Sequence, residues 1–144
     1  MVSRPEKIEP RLAPRLYLVT PPIADAQAFA APLAAALAGG DVAAVLVRLV
    51  DADERTAINC AKALCPLVQD KGAALLIDGH VDLVARAGAD GAHLTGLAAF
   101  RDAIGRLKPE RIAGAGGLFT RHDAMTMAEA GADYVMFGEP DARG

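Results

Sequence analysis

The sequence predicts an α/β fold of the (β/α)8-barrel (TIM-barrel) type, incomplete, with about six βα units. Three observations carry that reading. Apolar runs and helical stretches alternate strictly along the chain. The apolar runs are continuous, which marks strands of a parallel sheet buried on both faces. The segment Ala87-Gly88-Ala89-Asp90 also recurs as Ala130-Gly131-Ala132-Asp133, each copy just ahead of an apolar run.

The elements follow in order. Met1 to Pro14 alternates charge and proline and reads as a solvated lead-in, leaving 15–144 as one partial barrel domain. Arg15 to Thr20 is a strand that Pro21-Pro22 should end. Asp25 can cap a helix that carries Phe29, Leu33 and Leu37 and stops at Gly39-Gly40, with a kink or a displaced start expected at Pro32. Val42 to Leu49 is the second strand. Asp53 opens the second helix, which runs to about Gly72, with Pro66 as an irregularity. Ala73 to Ile77 is the third strand, and a short helix spans His80 to Ala87.

Gly91 to Leu94 is the fourth strand and Leu97 to Leu107 the fourth helix, stopped by Pro109. Arg111 to Ala115 is the fifth strand. Thr120 and Asp123 resemble a capping box for a helix that ends at Gly131. Tyr134 to Gly138 is the sixth strand, and Glu139 to Gly144 a loop. In the repeated Ala-Gly-Ala-Asp, glycine ends a helix and aspartate begins a strand. Both aspartates then fall at the N-terminal end of the sheet, where stability rather than catalysis is the expected role.

Composition narrows the function. The 144 residues are 53% hydrophobic and only 4% aromatic, without tryptophan, and the net charge is −3. A nucleic-acid partner is not expected without a basic patch or stacking aromatics. No apolar run reaches the roughly 20 residues of a membrane span, and the N-terminus has no apolar core of a secretory signal. Cys60 and Cys65 are expected as reduced, buried thiols in a cytoplasmic protein.

Four segments resemble the thiamine phosphate synthase / thiazole tautomerase family: RLYLVT at Arg15, LLIDGHVDL at Leu75, GADGAHLTG at Gly88 and AGADYVMFGEP at Ala130. The resemblance implies a reaction in which a hydroxymethylpyrimidine diphosphate loses pyrophosphate with magnesium assistance. A thiazole phosphate nitrogen then attacks the pyrimidine cation. It implies small phosphorylated heterocycles as partners, magnesium as cofactor, and a site at the C-terminal ends of the strands.

The sequence departs from the family pattern at several points. The family's Gln-x-Arg-x-Lys after strand two is reduced to Arg48. Its Asn-Asp after strand three is Asp78-Gly79, and Ala98 stands where a second magnesium aspartate belongs. Its Gly-x-Ser is Gly114-Ala115-Gly116, and its Gly-Pro is interrupted as Gly138-Glu139-Pro140. Magnesium is therefore expected to bind poorly, with Asp78 as the one candidate ligand.

The candidate catalytic residues are Arg48, Asp78 and His93. Arg48, costly inside a barrel without an anion, either pairs with Asp78 or meets substrate. Asp78 either holds a ligand or caps the next helix. His93 is either a satisfied core histidine or an acid–base partner of Asp78, as an isomerase would need. Thr95 and the amides of Gly114, Gly116, Gly117 and Gly138 are candidates for phosphate binding. His122 should be exposed, and Met125, Met127 and Met136 should pack. Against the family synthase stand two alternatives: an inactive relative that binds a phosphorylated ligand or partner, and another phosphate-binding barrel isomerase. A closed barrel needs eight strands. The expectation is thus either a truncated product or a chain that covers its open edges by self-association as a homo-oligomer, weak or inactive alone in catalysis.

Overall fold

Residues 11–139 are described by a computed structural model in which six parallel strands and five helices alternate. The strands are β1 (Leu16–Ile23), β2 (Val42–Leu49), β3 (Ala74–Asp78), β4 (Gly91–Thr95), β5 (Ile112–Leu118) and β6 (Tyr134–Phe137). Between them lie α1 (Ala26–Ala38), α2 (Glu54–Gln69), α3 (Val81–Ala87), α4 (Leu97–Leu107) and α5 (Arg121–Glu129). The strands pair in sequence order, from β1 through to β6. Most of the expected lead-in and the residues after Glu139 lie outside the described residues.

The alternation of side chains along each strand divides the interior into two. Val45, Val47, Leu75, Ile77, Ala92, Leu94, Ala113 and Ala115 join a core with Leu33, Ala61, Leu64, Val84, Phe100 and Met127 of the helices. Leu46, Leu76 and His93 are just as buried but alternate with these residues. They line the concave face, the inside of the barrel-type curl.

Local sequence explains the element ends. Asp25, Asp53 and Thr120 each accept a backbone N–H of the helix they precede, from Gln27, Thr56 and Asp123. Gly88, with φ +75, ends α3 in the left-handed region that glycine tolerates. Two expectations need correction, those at Pro21-Pro22 and at Met125. Pro21-Pro22 does not end β1, which pairs on through Pro22 with Arg48 and Ile23 with Leu49 after a register shift. β1 is an end strand of the sheet, where the missing proline N–H costs little. Pro32 and Pro66 sit inside α1 and α2 without breaking either. Met125 is exposed rather than packed, whereas Met127 is buried. His122 is exposed and both cysteines are free and buried.

The repeated aspartates do one job twice. Asp90 donates its N–H to the carbonyl of Leu75 and accepts the N–H of Leu75 on its carboxylate at 2.8 Å. Asp133 does the same to Ala113, again at 2.8 Å. Each aspartate thereby satisfies both backbone groups at the start of the preceding strand, and Lys108 adds a salt bridge to Asp133. This is the structural role expected at the N-terminal end of the sheet.

Candidate active site at the C-terminal ends of the strands

Asp78 is the last residue of β3 and stands in register with His93 of β4. His93 pairs in turn with Gly114 of β5, and Gly114 with Tyr134 of β6. One row across the concave face therefore reads Asp78, His93, Gly114, Tyr134. His93 is fully buried, and both of its ring nitrogens are engaged. Nδ1 lies 2.8 Å from the Tyr134 hydroxyl and Nε2 lies 3.1 Å from Oε1 of Glu139. The imidazole stacks on the Tyr134 ring, with centroids 5.8 Å apart and planes at 15°. Beyond it, the Tyr134 hydroxyl lies 2.7 Å from that of Tyr17 on β1.

The glycines make this cluster fit. A Cβ on Gly114 would lie 2.0 Å from the Tyr134 ring. A Cβ on Gly116 would lie 2.0 Å from Oε1 of Glu139 and 2.3 Å from Nε2 of His93. Both positions are bare because other side chains occupy the space. The expected phosphate cradle is correspondingly reduced. The amide of Gly117 donates to the carbonyl of Gly138, and the amide of Gly138 donates to the carbonyl of Leu118. Thr95 is exposed at the end of β4. Beside it, Gly117 helps line a cavity of about 240 Å³ with Gly96, His122, Asp123 and Thr126.

Arg48 is 8% exposed and is held against β1. Its Nε donates to the carbonyl of Thr20 at 2.7 Å, and its amide donates to the Thr20 hydroxyl at 3.1 Å. The expected Arg48–Asp78 pair is not among the described ion pairs. The guanidinium reaches β1 instead of β3, and it acts on Asp78 only as one of several surrounding charges. Asp78 does not cap α3 either, since the helix begins at His80 without a side-chain cap.

Burial dominates the electrostatics of this end of the barrel. It raises the Asp78 pKa against the opposing pull of His93, and the Glu139 carboxylate adds to the rise. Burial likewise pushes the Tyr17 hydroxyl up to about 12 and the Tyr134 hydroxyl higher still. Both phenols are therefore protonated donors throughout the physiological range.

These residues do not fit a resident magnesium ion. Among the described residues no group of three His, Cys, Asp or Glu side chains converges as a metal site. Magnesium asks for carboxylate oxygens. Here burial raises the Asp78 pKa and Ala98 offers no oxygen on its side chain, which leaves Glu139 as a lone carboxylate.

Tyr17 and Tyr134 escaped the sequence reading, and Glu139 figured only as an interruption of Gly-Pro. A signal was present. The chain has two tyrosines, both inside apolar strand runs, and a buried phenol needs a hydrogen-bond partner.

Comparison with known proteins places this geometry. The sequence profile described as thiamine monophosphate synthase matches residues 16–140. The chain belongs to the thiamine monophosphate synthase family. It is similar to the thiamine-phosphate synthase of Rhodospirillum centenum, 45% identical over 125 residues, which cover 86% of this chain and 60% of the relative. The thiamine-phosphate synthase of Hyphomonas neptunium is 38% identical over 136 residues, covering 90% of this chain and 62% of that one. Among solved structures, thiamine phosphate pyrophosphorylase from Pyrococcus furiosus superposes with a TM-score of 0.72 at 27% identity, over 90% of this chain and 63% of that one. An aldolase, QR15, superposes with a TM-score of 0.69 at 16% identity and shows the shared fold alone. The chain thus spans about three fifths of the length of these curated relatives. None of the described helices is long and apolar enough to cross a membrane.

Proposed function

We propose that this member of the thiamine monophosphate synthase family acts on small phosphorylated heterocycles, joining a hydroxymethylpyrimidine diphosphate to a thiazole phosphate with release of pyrophosphate. The observation that carries the reading is the family match over residues 16–140. The row Asp78, His93, Gly114, Tyr134 supports it by gathering polar groups toward the end of the strands where barrel enzymes work.

In the reaction the bond from the pyrimidine methylene to the diphosphate oxygen breaks, and the electron pair leaves with pyrophosphate. The thiazole ring nitrogen then gives its lone pair to the methylene, and the new C–N bond leaves the charge on a thiazolium ring. Arg48 is what remains of the Gln-x-Arg-x-Lys pattern that the family resemblance implies after strand two. Buried His93 and the half-buried Tyr17 and Tyr134 form a wall that excludes water from a reactive cation. No step is assigned to magnesium, because the donor set does not fit it.

Turnover is expected to be slow, since Gly79 and Ala98 replace residues the family pattern carries as acids. The test is pyrophosphate release with both precursors supplied together, against each alone. Release that needs both supports the reading. Binding of thiamine phosphate without any release favours the inactive relative that retains only the ligand site. Absence of both binding and release overturns the synthase reading.

A further inference from the structure

We infer that Glu139 stabilises the positive charge that develops on the heterocycle, and that Tyr17, Tyr134 and His93 are positioning residues that hold its carboxylate in place. The inference rests on the reading above and adds to it a carboxylate that the family's Gly-Pro pattern does not contain.

The hydrogen-bond chain is assigned a direction, with Glu139 as the acceptor at its end. An ionised carboxylate can only accept. Nε2 of His93 therefore carries a proton and donates it to Oε1 of Glu139 across 3.1 Å. In the neutral imidazole Nδ1 is then an acceptor, and the Tyr134 hydroxyl donates to it across 2.8 Å. The Tyr134 oxygen accepts in turn from the Tyr17 hydroxyl at 2.7 Å. Three donors point the same way, and each polarises the next toward Glu139.

The fit around the contact is tight. His93 is fully buried, and Gly116 leaves room that a single methyl group would fill. The Glu139 side chain remains 26% exposed, so the buried chain ends at an accessible carboxylate. Among the described hydrogen bonds Glu139 uses Oε1, which leaves Oε2 for a ligand. The other acid of the row, Asp78, is held less acidic by burial. A carboxylate fixed in advance beside a developing cation lowers its energy without reorganisation during the reaction. The same contact would favour the thiazolium product.

The experiment is titration calorimetry on the full chain and on Glu139→Gln, with thiamine phosphate as one ligand and inorganic pyrophosphate as the other. Loss of a charged contact should weaken thiamine phosphate by roughly tenfold or more and leave pyrophosphate unchanged. Equal affinity of both proteins for thiamine phosphate overturns the inference and leaves the functional reading standing. Parallel loss for both ligands overturns it as well, because Glu139 then only supports the fold. Failure of the unmodified chain to bind either ligand overturns the functional reading, and the inference with it. Nitrogen-15 spectra of the unmodified chain supply a readout that needs no variant. They should show His93 protonated on Nε2 and bare on Nδ1, and the opposite tautomer overturns the chain of donors.

Discussion

The hydroxyl of Tyr17 on the first strand lies 2.7 Å from the hydroxyl of Tyr134 on the sixth, 117 positions further along the chain. The two rings meet edge to face with centroids 5.4 Å apart. These strands stand at opposite ends of the sheet order. The sheet is curled so far that its end strands touch through these side chains.

Tyr134→Phe should destabilise the chain more than Tyr17→Phe. The first removes an oxygen that bonds both Tyr17 and His93, and strands the half-buried Tyr17 and the buried His93. A cost of about 1–3 kcal/mol is expected. The second removes one donor and leaves the Tyr134–His93 bond intact, at about 0.5–1.5 kcal/mol. Urea denaturation of both variants measures the order, and an equal cost would contradict the place of Tyr134 between two hydrogen-bond partners.

Gly114→Ala should cost about 1–3 kcal/mol through overpacking, because the new methyl would lie 2.0 Å from the Tyr134 ring. Combined with Tyr134→Leu, the alanine should become nearly neutral. Thermal unfolding of the four proteins in the cycle gives the coupling, and simple additivity would show that the ring is not what excludes the methyl.

Asp133→Ala should cost about 1–3 kcal/mol, since the fully buried Ala113 loses the acceptor for its N–H. Burial works to raise the Asp133 pKa, but hydrogen bonds from Lys108 and the Ala113 amide overcome it and the net shift is downward. The stability linked to this shift is present above the unfolded carboxylate value and is lost as pH falls through the folded one. Solvent screening keeps that contribution small, because the side chain is 37% exposed. The acid limb of the stability curve should be shallower in Asp133→Ala. Asp90→Ala should cost a similar amount at neutral pH, because it leaves the Leu75 amide unpaired.

Asp78 behaves in the opposite sense. Its pKa is raised in the folded chain, so stability is fully present below the unfolded value and is lost as pH rises through the folded one. Asp78→Asn should therefore be more stable than the parent at neutral pH and indistinguishable from it near pH 3. Denaturation across that range tests the sign. Magnesium titration of the same pair should show weak binding in both, and tight binding lost in the variant would restore Asp78 as a ligand.

The order of elements was legible in the chain because strand and helix are set by local patterning. Continuous runs such as Val42–Leu49 and the capping residues Asp25, Asp53 and Thr120 carry that information in neighbouring positions. The repeated Asp90 and Asp133 could be assigned to the stable end of the sheet for the same reason. Arg48, Asp78 and His93 were also recognisable as polar residues in apolar strands.

Their partners were not legible, since a partner is fixed by register and by the curvature of the sheet. Arg48 meets Thr20 on β1 rather than Asp78 on β3. His93 is completed by Tyr134 and Glu139, which lie 41 and 46 positions away. Gly114 and Gly116 look like a phosphate loop in sequence, yet the curl of the sheet fills their space with a tyrosine ring and a histidine–glutamate contact. The sequence by itself determined which segments become strands and which become helices, because those depend on local apolar runs and caps. Only the tertiary structure decided which polar groups meet on the concave face, because that depends on how strands far apart in the chain are brought side by side.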